Sequence, residues 1–97
     1  MVLNIYILLL EGNRYYIGNS GYFIKAYQQH IDKKGCEWTK IHRVVNILKV
    51  ITETNEYTLD DCVIEYMKKY GIDNVRGGSF EDVVLSPAQL EKLSNYL

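Results

Sequence analysis

Residues 5 to 19 carry the feature that most restricts what this chain can fold into. Ile5 to Leu10 is an unbroken apolar run, Glu11-Gly12-Asn13 is a turn signal, and Arg14 to Asn19 follows as a second run of β type. This is an opening β-hairpin. A two-stranded hairpin cannot bury its apolar surface alone in water, so it demands a further strand and a covering layer. From Gly21 the apolar spacing becomes helical, with Phe23, Ala26, Tyr27 and His30 on one face and Lys33-Lys34-Gly35 closing the segment, which predicts a helix over about 21–32. A loop through Trp38 leads to Arg43–Thr52, where Val45, Ile47 and Val50 are β-branched, and a third strand is expected over 44–52.

The covering layer is legible further on. Leu59, Cys62, Val63, Tyr66, Met67 and Tyr70 recur at the i, i+3, i+4, i+7 spacing of one helix face, and Gly71 stands where a helix stop belongs, which predicts a helix over 59–70. Ser86-Pro87-Ala88-Gln89 supplies an N-cap serine, a proline at the first helical position and a glutamine at N3. Leu90, Leu93 and Leu97 follow, so a closing helix is expected over about 86–97. A chain of 97 residues has interior for one hydrophobic core, and 47% apolar with 24% charged residues is a globular balance. The fold class that follows is α/β (α+β), a single domain over 1–97 with a small antiparallel three-stranded sheet flanked by helices.

The longest apolar run has six residues, far below the roughly 20 needed to span a bilayer, so no membrane partner is expected. That run lacks a basic leader and a small-residue cleavage site, and an intracellular, non-secreted protein is the expectation. Cys36 and Cys62 are then reduced thiols. The net charge of -1 excludes a nonspecific nucleic-acid coat protein. Its distribution is uneven: residues 1–49 hold seven lysines and arginines against three acids, and residues 50–97 hold four against nine. Lys33, Lys34, Lys40, His42 and Arg43, with Trp38 among them, form the densest basic stretch. It reads either as a grip on a phosphate backbone beside a stacking aromatic or as a solvated face.

Two stretches resemble a known family. Asn4-Ile5-Tyr6 and Tyr16-Ile17-Gly18, with nine residues between the tyrosines, resemble the paired strand motifs of the GIY-YIG nucleases, with Asn4 in place of the first glycine. His30 stands twelve residues after Gly18, where that family has a histidine. The run from Tyr66 to Gly78, ending in Asn74-Val75-Arg76-Gly77-Gly78, resembles the helix end and asparagine turn of a branch common in large DNA viruses. The resemblance covers about residues 4–80 and implies metal-dependent cleavage of a phosphodiester bond, with DNA as partner and Mg2+ or Mn2+ as cofactor. Such chemistry needs an attacking water, charge neutralisation at the phosphoryl oxygens and a place for a proton. The family uses tyrosines, an arginine, a histidine and a metal-binding glutamate for these tasks. By resemblance Tyr6 is an orienting phenol, Tyr16 a general base or water-positioning group, and His30 a proton handler or phosphate donor. The alternatives are half-buried packing for the tyrosines and a polar tip on a helix face for His30.

Two departures stand beside these matches. The family's arginine falls at Ala26; the adjacent Lys25 is turned about 100° around the helix and lacks the planar fork, so it is a strained substitute. The family's glutamate falls at Val63 or Cys62, neither of which offers magnesium a carboxylate. Glu65, two residues on, is the candidate metal ligand, with Asp61 behind it. Its other reading is a surface i, i+4 pair with Lys69. Asn74 and Arg76 are candidate anion contacts, in a turn that the paired glycines also permit for purely conformational reasons. The expected function is a nuclease-like domain acting on DNA with a weakened or lost cleavage site. The alternative is a non-catalytic module that binds nucleic acid, or a protein or second copy through Leu90, Leu93 and Leu97.

Overall fold

The computed structural model describes residues 2–97. The hairpin forms as β1 (Asn4–Leu10) and β2 (Arg14–Ser20), antiparallel and in unbroken register from Asn4 opposite Ser20 to Leu10 opposite Arg14. Helix α1 (Phe23–Ile31) and a five-residue helix α2 (Glu37–Ile41) follow, then β3 (Val44–Thr52), helix α3 (Leu59–Tyr70), a 3-10 turn at Ile72–Asn74, β4 (Val75–Gly77) and helix α4 (Pro87–Ser94). The strand order is β3-β1-β2-β4. The mixed α+β class and the flanking helices are as expected.

The sheet has one strand more than expected. β4 pairs in parallel with β2, setting Tyr15, Tyr16 and Ile17 beside Val75, Arg76 and Gly77. A three-residue strand is too short to display a period-2 pattern, and its glycine and preceding asparagine read as turn. α2 also lies where a loop was expected, because a single helical turn carries no readable repeat.

Strand alternation sends alternate residues of the hairpin to opposite faces. Ile5, Ile7, Tyr15 and Ile17 meet Cys62, Val63 and Met67 of α3 in the larger core, which also takes in Val75, Phe80 and Leu93. Tyr6, Leu8, Leu10 and Tyr16 meet Trp38, with Phe23, Ala26 and Tyr27 of α1 packed around them. The cap expected at Ser86 forms, and a second capping box that was not expected forms at Thr58. Thr58 accepts from the Asp61 N–H while Asp61 accepts from Thr58, and Ser86 and Gln89 do the same at α4. Asp61 is thereby committed to capping. Of the three leucines suggested as a docking stripe, Leu93 is fully buried in the core, whereas Leu90 and Leu97 face outward. Among the described residues no helix is long and apolar enough to cross a membrane.

Candidate active-site cleft

The cleft lies where the end of β2, the first turn of α3 and the loop after β4 meet. It encloses about 420 Å³ and is lined by Tyr6, Tyr16, Gly18, Asn19, Leu59, Asp60, Gly78, Ser79 and Glu81. Glu53 fixes this corner by accepting from the Asn19 amide at 2.8 Å and from the Leu59 backbone N–H at 2.7 Å, tying β2 to the start of α3. Gly18 stands directly across the hairpin from Tyr6, and a Cβ there would come within 2.5 Å of the Tyr6 hydroxyl. The glycine is what gives the phenol its place.

Three of the residues singled out in the sequence converge. The Tyr6 hydroxyl lies 3.1 Å from His30 Nε2, and the His30 ring lies 4.7 Å from that of Tyr16, centroid to centroid. The Tyr16 hydroxyl donates to Glu81 Oε2 at 2.8 Å. Each phenol oxygen therefore has its own side-chain partner. Burial pushes Tyr6 up to about 12, with Cys36 and Glu81 adding to the effect. Burial raises Tyr16 further, reinforced by Tyr6 and Cys36. Both phenols are thus neutral near pH 7. Burial lowers His30 against a smaller opposing pull from Glu81, so the imidazole is neutral there too. The cleft's formal charge then comes from the carboxylates of Asp60 and Glu81.

The other candidates are placed elsewhere. Lys25 is exposed and lines a separate surface hollow with Gly21, Tyr22, Phe23, Ile24 and Gln28, so it does not stand in for the arginine that Ala26 lacks. Ala26 packs against the Tyr6 and Tyr16 side of the sheet. Glu65 is exposed on α3 and accepts from the Tyr57 hydroxyl at 2.6 Å, outside the cleft lining. Trp38 is only 4% exposed, donates its indole N–H to the Tyr15 carbonyl at 2.9 Å and carries the Arg76 guanidinium 4.9 Å above its ring, so it offers no face to a base. Arg76 is 5% exposed and donates to the backbone carbonyls of Ile72, Val75, Asp82 and Val83. Asn74 donates to the Tyr70 carbonyl at 2.8 Å and closes the end of α3. These three polar side chains hold the fold rather than a ligand, because burial obliges their donors to find partners inside. Lys33, Lys34, Lys40 and Arg43 remain on the surface; Lys40 pairs with Glu37 at 3.2 Å and Arg43 approaches Glu11 at 3.9 Å.

Asp60 and Glu81 are the cleft residues that sequence reasoning missed. Asp60 sits beside Asp61, but the helix points it the other way: its oxygens accept from the Ser79 N–H at 2.9 Å and the Ser79 hydroxyl at 2.7 Å. Glu81 belongs to an aperiodic loop. Mutual backbone bonds between Gly77 and Phe80, the buried Phe80 ring and the clasp of Arg76 on Asp82 and Val83 hold that loop against Tyr16. No sequence period announces such an arrangement. Among the described residues no group of three or more His, Cys, Asp or Glu side chains forms a cage for a metal. Two carboxylates with open lone pairs still fit Mg2+ or Mn2+, which bind through one or two carboxylates and fill their octahedron with water and substrate phosphate.

The hairpin thus presents two tyrosines to a cleft at the sheet's end, and His30 of α1 packs against both of them. The UPF0213 protein FN1575 of Fusobacterium nucleatum subsp. nucleatum is 31% identical over 72 residues, which span 71% of this chain and 72% of the relative. This chain belongs to the UPF0213 family, a nuclease-like family of GIY-YIG type. No family model matches the chain, and no solved structure matches it.

Proposed function

We propose that this protein is a metal-dependent phosphodiester hydrolase of low turnover acting on DNA. The observation that carries the reading is the pairing of each cleft phenol with its own side-chain partner, Tyr6 with His30 and Tyr16 with Glu81. Neutral imidazole is a stronger base than carboxylate. Tyr6 and His30 therefore form the proton-handling pair, while Tyr16, held by Glu81, orients the water. This reverses the roles that the resemblance implies for the two tyrosines.

The attacking water gives a proton to the Tyr6 oxygen as the Tyr6 proton moves to His30 Nε2. A new P–O bond forms on the water oxygen, the ester P–O bond breaks, and the departing oxygen takes a proton from solvent. Asp60 and Glu81 would hold a divalent cation, which would supply positive charge to the phosphoryl oxygens. An acidic cleft repels a phosphodiester without such a cation. The missing arginine is the reason for low turnover, since losing one preorganised donor to the developing charge costs on the order of 100-fold or more. Lys33, Lys34, Lys40 and Arg43 are the exposed cations available to steer DNA.

The test is cleavage of duplex, branched and single-stranded DNA with Mg2+ or Mn2+, using Tyr6→Phe and His30→Gln proteins as controls for contaminating nuclease. Slow cutting that both substitutions and a chelator remove supports the proposal. Absence of cutting on every substrate, with binding retained, favours the non-catalytic module, for which the alanine at position 26 is the motive.

A further inference from the structure

We propose that Thr39 is a positioning residue that fixes His30 in the tautomer bearing its proton on Nδ1, so that Nε2 is an acceptor aimed at the Tyr6 hydroxyl. Thr39 sits in the middle of α2 and is completely buried. Its hydroxyl lies 2.8 Å from His30 Nδ1 and 3.2 Å from the Cys36 carbonyl. A threonine hydroxyl has one proton, and a carbonyl can only accept. Donation to Cys36 leaves the Thr39 oxygen as an acceptor, and its partner Nδ1 must then carry hydrogen. The Cys36 carbonyl has a lone pair for this, since its other partner is the Lys40 N–H at 3.1 Å.

The far side of the ring fits the same assignment. Tyr6 is buried, and its hydroxyl has His30 Nε2 as its side-chain partner at 3.1 Å. In the opposite tautomer Nε2–H would point at the phenol oxygen, and the phenol proton would have to turn away from His30 toward the cleft. Among the described residues no buried side-chain nitrogen or oxygen lacks a partner, and the Nδ1–H tautomer lets the Tyr6 and Thr39 hydroxyls each donate to the acceptor beside it. The loop between α1 and α2 seals this arrangement. A Cβ on Gly35 would collide with His30 Nδ1, so the backbone passes directly over that nitrogen and leaves no room for a water to compete with Thr39. Because burial keeps the imidazole neutral, its tautomer decides which nitrogen can take a proton.

The chain of donors thus runs in one direction, from Tyr6 to His30 and from His30 through Thr39 to the Cys36 carbonyl. Its catalytic meaning rests on the hydrolase reading above, but the tautomer itself does not. A long-range proton–nitrogen NMR correlation of the ring nitrogens in 15N-labelled full-length protein reads it directly, since protonated and bare imidazole nitrogens resonate far apart. The parent and Thr39→Ser proteins are expected to show hydrogen on Nδ1. In Thr39→Val, which has nearly the same shape without the hydroxyl, the Nδ1–H to Nε2–H ratio is expected to fall about tenfold or more, the worth of one buried hydrogen bond. Hydrogen on Nε2 in the parent, or a Thr39→Val ratio within about twofold of the parent, overturns the proposal. Where cleavage is measurable, kcat should fall about tenfold in Thr39→Val, with KM unchanged and Thr39→Ser restoring the rate. If no protein cuts DNA, the hydrolase reading fails while the NMR result still decides the tautomer.

Discussion

The two faces of the sheet are built on opposite principles. On the α3 face Ile5, Ile7, Ile17, Val63, Met67 and Val75 close a nearly pure apolar core. On the α1 and α2 face the same strands present Tyr6 and Tyr16, and the buried polar or charged residues His30, Thr39 and Arg76 gather there. The first face can be held by the hydrophobic effect alone, which is non-directional and tolerant of repacking. The second depends on hydrogen bonds of defined direction, each of which is expensive to leave half made. One face supplies stability, and the other spends part of it to hold reactive groups in position.

The comparison breaks first at its apolar side. Ile17→Ala is expected to cost about 2–5 kcal/mol, a large share of the roughly 5–15 kcal/mol that a domain of this size possesses. Urea unfolding followed by circular dichroism reads the loss; a cost below about 1 kcal/mol would mean that the α3 face is not the main source of stability. On the other face, Glu81→Gln should reduce any metal-dependent DNA cleavage about 100-fold while the denaturation midpoint barely moves, because Glu81 is an exposed loop residue. A large loss of stability with activity intact would contradict this division of labour.

Gly18→Ala tests the join between the two. The added methyl meets the Tyr6 phenol, and a cost of about 1–3 kcal/mol is expected together with loss of the Tyr6 to His30 bond. A crystal structure of the variant with the phenol unmoved would count against that reading of the glycine. The smallest effect is on pH dependence. His30 has its folded pKa below its ordinary value, so around and below pH 6.5 the unfolded chain binds more protons than the folded one and stability falls as pH drops through that window. His42 acts with the same sign, through burial and the nearby Arg14. His30→Asn should therefore flatten the Tm-against-pH curve between about pH 7 and 5 only in part. An unchanged curve would show that His30 is not held neutral by its site.

Much of this architecture was legible in the residues. The hairpin, both long helices, the Ser86-Pro87-Gln89 cap and the meeting of Tyr6, Tyr16 and His30 all depend on local periodicity, or on a short motif whose strand register sets the partners. A six-residue apolar run followed by a turn can pair in few ways, and a twelve-residue helix with one apolar face can cover only one side of what it pairs into.

What only the tertiary structure decided lies between elements far apart in the chain. Trp38 and Arg76, which read as surface groups, stack on one another inside because β4 joins the sheet beside β2. Glu81 reaches Tyr16 across 65 residues of sequence, and Asp60 rather than Asp61 or Glu65 faces the cleft because the capping box at Thr58 turns Asp61 aside. The physical reason is the same in each case. Period and propensity report the surroundings of a residue within a turn or two, whereas the partner of a buried polar atom is chosen by whichever backbone or carboxylate the packed fold brings within about 3 Å.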